Sequence, residues 1–306
     1  MIHGKPKLTI CIPARLHSTR LPQKPLARIG TQTLIQVVVT NALLCARAIE
    51  ESSAFDQVRV VVATDSTLIQ ENLQGYACQV VLTDSHLPSG TDRICQALLR
   101  LDSSSQGQFT SPKVSFSAPS DWELVLNLQG DEPRIHPQSC LELCLKMLSL
   151  ESFHQVGTLV YRNHNWDDFF SSQVVKCVRC PSGKALTFTR APSPWPRDLL
   201  GASGKDWLPR VQNLSVGKDV PSTDHPFWHH VGVYCYFKKD LLEFATQLPQ
   251  GELEQMEGLE QLRALENGWI IHAVETPSHP FGIDTPEDLE KFSKMVLPPA
   301  FPAATR

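Results

Sequence analysis

The chain has 306 residues, of which 42% are hydrophobic and 20% are charged, with a formal net charge of −4. A soluble chain of this size can bury one large core or two modest ones, and its acidic balance argues against a nucleic-acid-binding surface, which usually carries a basic excess. No run of 18 apolar residues occurs, and the polar N-terminus is too short for a signal peptide, so we expect a cytoplasmic protein without membrane contact.

The first predicted strand, at residues 8–12, runs into a loop with three permanent positive charges, Arg15, Arg20 and Lys24. In an α/β sheet, ligands bind beyond the carboxyl ends of the strands. Arginine and lysine in such a loop are suited to phosphate oxygens. Taken alone, the loop is more typical of a solvated basic segment than of a phosphate site.

Strands and helices alternate over the following part of the chain. We predict helices at residues 33–50 and 65–73, strands at 58–63 and 79–82, and a further helix that the loop 83–93 opens. This alternation favours a parallel, doubly wound sheet. The serine-rich residues 102–121 are interpreted as an exposed insertion.

A strand at residues 124–126 delivers an acidic pair, Asp131 and Glu132, to the same edge of the predicted sheet as the basic loop. Chemistry on polyphosphates needs a hard divalent cation on carboxylate oxygens, and Asp131 is placed to hold one. The two loops together therefore suggest a metal-assisted reaction at a nucleotide phosphate.

The second half is richer in strands, which predicts a mixed or antiparallel extension. After a helix at 137–150, strands are expected at residues 156–160, 174–178, 185–189 and 231–236, with a long loop that includes residues 198–226. Helices at 239–247 and 257–267, a strand at 269–274 and a helix capped by Asp284 or Thr285 follow. The nine cysteines, an odd number mostly inside apolar runs, are expected to be reduced, and the single Cys177–Cys180 spacing argues against a zinc site.

Seven short motifs resemble, in order, those of the 3-deoxy-manno-octulosonate cytidylyltransferase (CMP-Kdo synthetase) family: residues 12–15, 18–22, 24–25, 89–93, 127–133, 259–263 and 284–289. The resemblance implies a Rossmann-like α/β nucleotide-diphospho-sugar transferase fold with a mostly parallel central sheet and a smaller mixed-strand extension. It also implies CMP transfer from CTP to 3-deoxy-D-manno-octulosonate (Kdo) with Mg²⁺, for lipopolysaccharide synthesis, by a homodimer. One domain would then contain a CTP-binding half at 7–150, a sugar-binding and dimerisation half at 151–295, and a disordered tail at 296–306.

The resemblance also implies roles for individual residues. Arg15, Lys24, Asp131 and Asp284 match the catalytic set, and the two aspartates match the magnesium ligands. The nucleotide side would comprise Arg15, Lys24, Ala14, Arg20, Ser89, Gly90, Arg93 and Gln129. The sugar side would comprise Arg190, His230, Tyr234, Glu260 and Gln261.

Simpler interpretations exist for the sugar-side residues when each is considered alone. His230 fits a structural histidine, Tyr234 fits a core aromatic, and Glu260 with Arg263 fits a surface ion pair on a helix. Gln23 stands where the family usually has glycine, which could stiffen the loop around Lys24.

Three alternative functions are weighed against Kdo transfer. The same phosphate chemistry would serve a cytidylyltransferase for another acidic sugar, such as a sialic acid or an amino-Kdo. A catalytically silent nucleotide-binding module is a second alternative, although folding alone does not require charged residues at strand ends. A Rossmann dehydrogenase fits poorly because no G-x-G-x-x-G follows the first strand.

Overall fold

The computed structural model describes residues 5–18, 20–104, 123–150, 152, 154–200 and 226–295. The predicted insertion at 102–121, the long loop at 198–226 and the tail at 296–306 lie wholly or mainly outside these residues.

The chain forms two compact units. Unit 1 contains Met1–Gly157, Gly232–Gln247 and Pro280–Arg306, and unit 2 contains Thr158–Val231 and Leu248–His279. Both units are therefore discontinuous in sequence, unlike the predicted halves at 7–150 and 151–295.

The described strands and helices alternate along the first half of the chain. The strands are β1 (Lys7–Ala14), β2 (Arg28–Ile29), β3 (Gln32–Thr33), β4 (Gln57–Thr64), β5 (Gln79–Leu82), β6 (Glu123–Leu128), β7 (Gln155–Asn163), β8 (Lys176–Arg179), β9 (Ala185–Thr189), β10 (Phe227–Phe237) and β11 (Ile270–Thr276). The helices are α1 (Leu34–Glu51), α2 (Thr67–Asn72), α3 (Gly90–Ser104), α4 (Pro137–Leu148), α5 (Trp166–Phe170), α6 (Arg197–Leu200), α7 (Lys238–Thr246), α8 (Glu252–Glu257), α9 (Leu262–Glu266) and α10 (Pro286–Ser293). A single 3₁₀ turn, Lys24–Leu26, follows the basic loop.

Unit 1 is built on a mostly parallel sheet. Strand β1 lies between β6 and β4, and β5 extends the sheet beyond β4, with all of these pairs parallel. The end of β10 pairs with β6 in the antiparallel direction. Strands β1 and β6 are almost wholly buried, as expected for parallel strands covered on both faces. The predicted α/β fold with its mixed extension is confirmed.

Helix α1 covers this sheet because its apolar residues recur at helical spacing. Ile35, Val38, Ala42 and Ile49 are among its buried residues. A reciprocal capping box between Thr33 and Gln36 fixes its start, with the Thr33 hydroxyl accepting from the Gln36 amide. All nine cysteines are free and seven are buried, in agreement with the expectation of reduced core residues.

Unit 2 has a smaller core and mainly antiparallel pairing. Strands β8 and β9 form a hairpin, and β8 also pairs with the start of β10. An apolar cluster of Phe169, Leu200 and Phe227 packs beside them.

One predicted helix is wrong. Residues 257–267 contain only the last residue of α8, then a turn, and then α9, because Gly258 adopts a left-handed conformation with φ 62° and ends α8. The interpretation of Arg263 as a surface partner of Glu260 is wrong as well. Arg263 is buried, and its Nε and Nη2 donate to Glu254 Oε2 and Oε1 at 2.8 and 2.6 Å.

Two other boundaries move. Strand β8 begins two residues later than the predicted 174–178, and α2 begins at Thr67 rather than at residue 65, with the Ser66 hydroxyl as its cap. No helix in the described parts of the chain is long and apolar enough to cross a bilayer.

Candidate active site

The loops after β1 and β6 leave the sheet side by side. The two strands are parallel neighbours in register from Lys7 opposite Glu123 to Cys11 opposite Asn127. Gly130 then passes so close to the first loop that a Cβ atom there would lie 2.6 Å from the Pro13 carbonyl oxygen. A side chain at position 130 would therefore push two backbone segments apart, which explains the glycine.

Lys24 lies between the two predicted metal ligands. Its Nζ donates to Asp131 Oδ2 at 2.7 Å and to Asp284 Oδ1 at 2.8 Å, and the lysine side chain is only 12% exposed. The Arg20 guanidinium contacts the same oxygen of Asp284 at 3.0 Å. The structure thus brings together four predicted site residues from three distant parts of unit 1.

Backbone contacts hold these segments in place. The Ile283 N–H donates to the Asp131 carbonyl at 2.9 Å, which fixes Asp284 beside the end of β6. Asp284 comes just before α10, whose start is fixed by a capping box between Thr285 and Asp288. On the other side, Gln23 adopts a left-handed conformation with φ 49° as the chain turns into Lys24. This conformation explains why glycine would suit position 23, because only glycine adopts it without steric cost.

Glu132 is a site residue whose role was not foreseen, although the acidic pair itself was noted. Its Oε1 accepts from the Gly232 N–H at 3.2 Å, and its buried Oε2 has no hydrogen-bond partner within the described residues. Burial, followed by the negative charge of Asp131, raises the pKa of Glu132 to about 7. A Cβ atom at Gly232 would lie 2.8 Å from Oε1, so this close approach also depends on glycine.

The acidic residues at this edge suit a hard cation. The carboxylates of Asp131 and Asp284 converge on Lys24 Nζ, and the buried Oε2 of Glu132 has no donor in the described parts of the chain. Oxygen-only ligands of this kind are those that Mg²⁺ prefers, with phosphate oxygens and water completing its shell. The residues present therefore fit Mg²⁺, with Asp131 and Asp284 as the side chains that would hold it.

Arg93, predicted on the nucleotide side, is engaged in contacts within the protein. Its buried guanidinium donates to Thr83 Oγ1 at 2.6 Å and to the Asp84 carbonyl at 3.2 Å, and lies 3.4 Å from Asp65 Oδ2. The other oxygen of Asp65 accepts from the Leu16 N–H at 2.9 Å. Asp65 therefore ties the basic loop to α3, a role that only its position after a strand could have suggested.

Arg15 is exposed on the basic loop. The pKa of Arg93 is lowered by burial first, with the positive charge of Arg15 also contributing. Two neighbouring cations repel each other, which favours an anion beside them.

The remaining nucleotide-side residues meet around Pro13. Ala14 is the buried last residue of β1, and Gly90 opens α3. A Cβ atom at Gly90 would lie 3.2 Å from Pro13 Cγ and 4.0 Å from Gln129 Oε1. The Ser89 hydroxyl is 2.8 Å from Asp92 Oδ2, which shapes the turn into α3.

The predicted sugar-side residues divide between the units. Tyr234 belongs to unit 1, on β10 opposite Asn127. In unit 2, the imidazole of His230 lies 3.0 Å from Thr158 Oγ1 and edge-on to Phe188. Burial lowers the pKa of His230 to about 3, so its ring is uncharged at neutral pH.

Arg190, Glu260 and Gln261 also belong to unit 2. The Arg190 guanidinium donates to the carbonyls of Glu257, Ser172 and Gly258 at 2.7, 3.0 and 3.4 Å. Gln261 is 5% exposed, and its Nε2 has no acceptor within the described residues. Glu260 lies in the turn between α8 and α9 and is partly buried.

Comparisons with known proteins point to one enzyme family. A family model described as cytidylyltransferase matches residues 9–276. A 3-deoxy-manno-octulosonate cytidylyltransferase of Syntrophotalea carbinolica is 38% identical over 282 residues, covering 92% of this chain and 95% of its own length. One from Thermodesulfovibrio yellowstonii is 37% identical over 290 residues, covering 94% and 97%. A solved structure of a CMP:2-keto-3-deoxy-manno-octonic acid synthetase complexed with CTP aligns with a TM-score of 0.69 and 28% identity, covering 94% of this chain and 97% of that one.

Proposed function

The chain belongs to the 3-deoxy-manno-octulosonate cytidylyltransferase family, and from this premise we propose that it transfers CMP from CTP to Kdo and releases diphosphate. The observation that carries the proposal is the contact of Lys24 Nζ with both Asp131 and Asp284 at the end of the parallel sheet. A fixed cation and two carboxylates at this position are suited to a metal-bound triphosphate. The relatives' names favour Kdo over another acidic sugar.

In the proposed reaction, the anomeric hydroxyl of Kdo attacks the α-phosphorus of CTP and loses its proton to water, and the bond from that phosphorus to the leaving diphosphate breaks. A step of this kind depends on positioning and on neutralising phosphate charge. Arg15, Arg20 and Lys24 supply fixed positive charge for the triphosphate. Mg²⁺ held by Asp131 and Asp284 would supply Lewis-acid neutralisation of the phosphate oxygens. Asp65 and Arg93 hold the basic loop and the start of α3 in position.

The sugar-side residues would bind Kdo through hydrogen bonds as well as charge. Gln261 offers a buried N–H donor that has no acceptor among the residues the structure describes, which supports a ligand oxygen there. The uncharged His230 can exchange a hydrogen bond with a hydroxyl. Arg190 has five N–H donors and uses three of them on carbonyls of the described residues, and its remaining donors suit the sugar carboxylate. A role in lipopolysaccharide synthesis and a homodimer stay predictions from the family resemblance, and a cytoplasmic location stays a prediction from the sequence pattern.

Diphosphate release from CTP tests the proposal directly, with Kdo or N-acetylneuraminate as acceptor and with Mg²⁺ present or chelated. We expect release with Kdo and Mg²⁺ only. Asp131→Asn and Asp284→Asn should each lower turnover by at least ~100-fold, given the several kcal/mol that a metal supplies to transition-state charge. Asp56→Asn, at an exposed aspartate of the same unit, is the matched control.

Each alternative has its own outcome in this assay. Turnover of N-acetylneuraminate but not Kdo would replace the proposed substrate. No release with either sugar, despite CTP binding, would indicate a silent nucleotide-binding module. Normal rates in both aspartate variants would refute the metal assignment.

A further inference from the structure

Three side chains of unit 2 that the proposed reaction does not use lie close together: Asp168, His229 and His279, here called the His229 cluster. Each offers one ligand atom, and these atoms all lie within 4.8 Å of one another. Asp168 lies on α5, His229 on β10, and His279 follows β11. Three separate segments of one unit therefore bring two imidazoles and a carboxylate to one point.

Neighbouring side chains hold the cluster in place. The Asn163 amide nitrogen donates to Asp168 Oδ2 at 2.8 Å and lies 3.4 Å from His229 Nδ1. Asn163 itself is only 3% exposed. The His279 ring is edge-on to Tyr161 at 5.1 Å and perpendicular to the His229 ring at 5.8 Å between centroids. Metal ligands in proteins are oriented by partners of this kind.

The charge state of His229 also suits a metal. Burial, followed by the charge of His279, lowers the pKa of His229 to about 4, so its imidazole is neutral near pH 7. A neutral ring keeps the lone pair that coordination requires, so a metal ion does not have to displace a proton from it. The other ligands are reachable from solvent, because the side chains of His279 and Asp168 are 53% and 28% exposed.

A simple ion pair accounts for only part of this arrangement. His279 Nε2 lies 3.6 Å from Asp168 Oδ2, which fits a weak surface pair when the histidine is protonated. That pair gives no reason for a second imidazole, His229, whose ligand atom also lies within 4.8 Å of ligand atoms of the other two residues. Two nitrogens and one oxygen form a ligand set typical of zinc and related ions, whereas the Asp131 and Asp284 pair offers oxygen alone.

We propose that Asp168, His229 and His279 bind a divalent transition-metal ion such as Zn²⁺, in a second metal site of this protein. Three protein ligands and an exposed side leave the remaining position to water. Because the ligands come from α5, β10 and the segment after β11, the ion cross-links these segments. It therefore stabilises unit 2 by mass action.

Calorimetric titration of metal-free, full-length protein with Zn²⁺, in excess Mg²⁺ to occupy oxygen-only sites, tests the proposal. We expect His279→Ala and Asp168→Asn to weaken zinc binding at this site by more than ~100-fold, beyond the ~10- to 100-fold typical for loss of an outer partner such as Asn163. His164→Ala, at an exposed histidine of the same unit, should bind as the wild type does. Circular dichroism of each variant checks the fold, and the exposed position of His279 favours a folded variant.

A second group, His154, Asp240 and Glu243 in unit 1, could also bind zinc and has to be separated from the first. His154→Ala is the variant that isolates it. Zinc binding that survives unchanged in His279→Ala, or that disappears only in His154→Ala, would overturn the proposal. Loss in His279→Ala with retention in His154→Ala supports it.

Discussion

Replacing Lys24 by methionine removes one positive charge from the centre of the candidate site while keeping most of the side-chain length. In the structure, its ammonium group is the shared partner of Asp131 and Asp284, at 2.7 and 2.8 Å. The substitution therefore leaves two carboxylates facing each other without the cation between them. It also removes a donor for phosphate oxygens. The two consequences can be measured separately.

The size of each effect follows from exposure. The Lys24 side chain is 12% exposed, but its partners are 36% and 40% exposed, so water screens the pairs. Exposed ion pairs contribute at most about 1 kcal/mol, and breaking a buried pair costs about 3–5 kcal/mol. Because the pairs of Lys24 are partly exposed, we expect a loss between these limits, about 2 kcal/mol in unfolding free energy. For CTP, losing a hydrogen bond to a charged group costs about 1.5–3 kcal/mol, which is roughly a 10- to 150-fold rise in Kd.

Calorimetric titration with CTP and with cytidine, both in Mg²⁺, separates a phosphate contact from general damage. We expect Lys24→Met to weaken CTP binding within that range and to leave cytidine binding unchanged. Lys291→Met, at an exposed lysine of the same unit, controls for loss of charge alone. An equal loss of affinity for both ligands would refute the reasoning, because cytidine has no phosphate for Lys24 to contact.

Two further substitutions test the packing of unit 1. Burial raises the pKa of Asp240 from 3.8 to about 6, so the folded protein binds this proton more tightly than the unfolded chain. This contribution to stability is present below about pH 4 and is lost as the pH rises through 6. In urea unfolding, Asp240→Asn should therefore have an unfolding free energy roughly 1–3 kcal/mol higher than wild type at pH 7, and the difference should be smaller at pH 4. An equal difference at both pH values would contradict this. Gly130→Ala should lose about 1–3 kcal/mol in the same assay, since its Cβ would meet Pro13 O at 2.6 Å. Gly282→Ala, where a Cβ meets nothing within 4 Å, should match the wild type.

Local patterns predicted the first half of the fold well. The predicted helix at 33–50 differs from α1 by one residue at each end, because its apolar spacing and its capping residue both lie in the local sequence. The same approach failed at residues 257–267. The leucines there continue at helical spacing, so the hydrophobic pattern does not show that Gly258 adopts a left-handed conformation and separates α8 from α9.

Side-chain partners were harder to predict than elements. A local rule paired Arg263 with Glu260, three residues away, but the folded chain pairs it with Glu254 in the preceding helix. The placement of Arg93 on the nucleotide side stays a prediction, but its contacts with Asp65 and Thr83 were not predicted. In both cases the partner comes from a different helix or loop, and the spacing of residues along the sequence does not indicate which one.

The sequence by itself determined which chemical groups stand at the strand ends: Lys24 after β1, Asp131 after β6, and Asp284 before a capped helix. Each of these positions follows from a local pattern of apolar runs and caps. Only the tertiary structure decided that they meet, because the parallel register of β1 and β6 and the hydrogen bond from Ile283 to Asp131 join segments that are far apart in the chain. Contacts across such separations depend on strand order and backbone pairing, which no window of neighbouring residues contains.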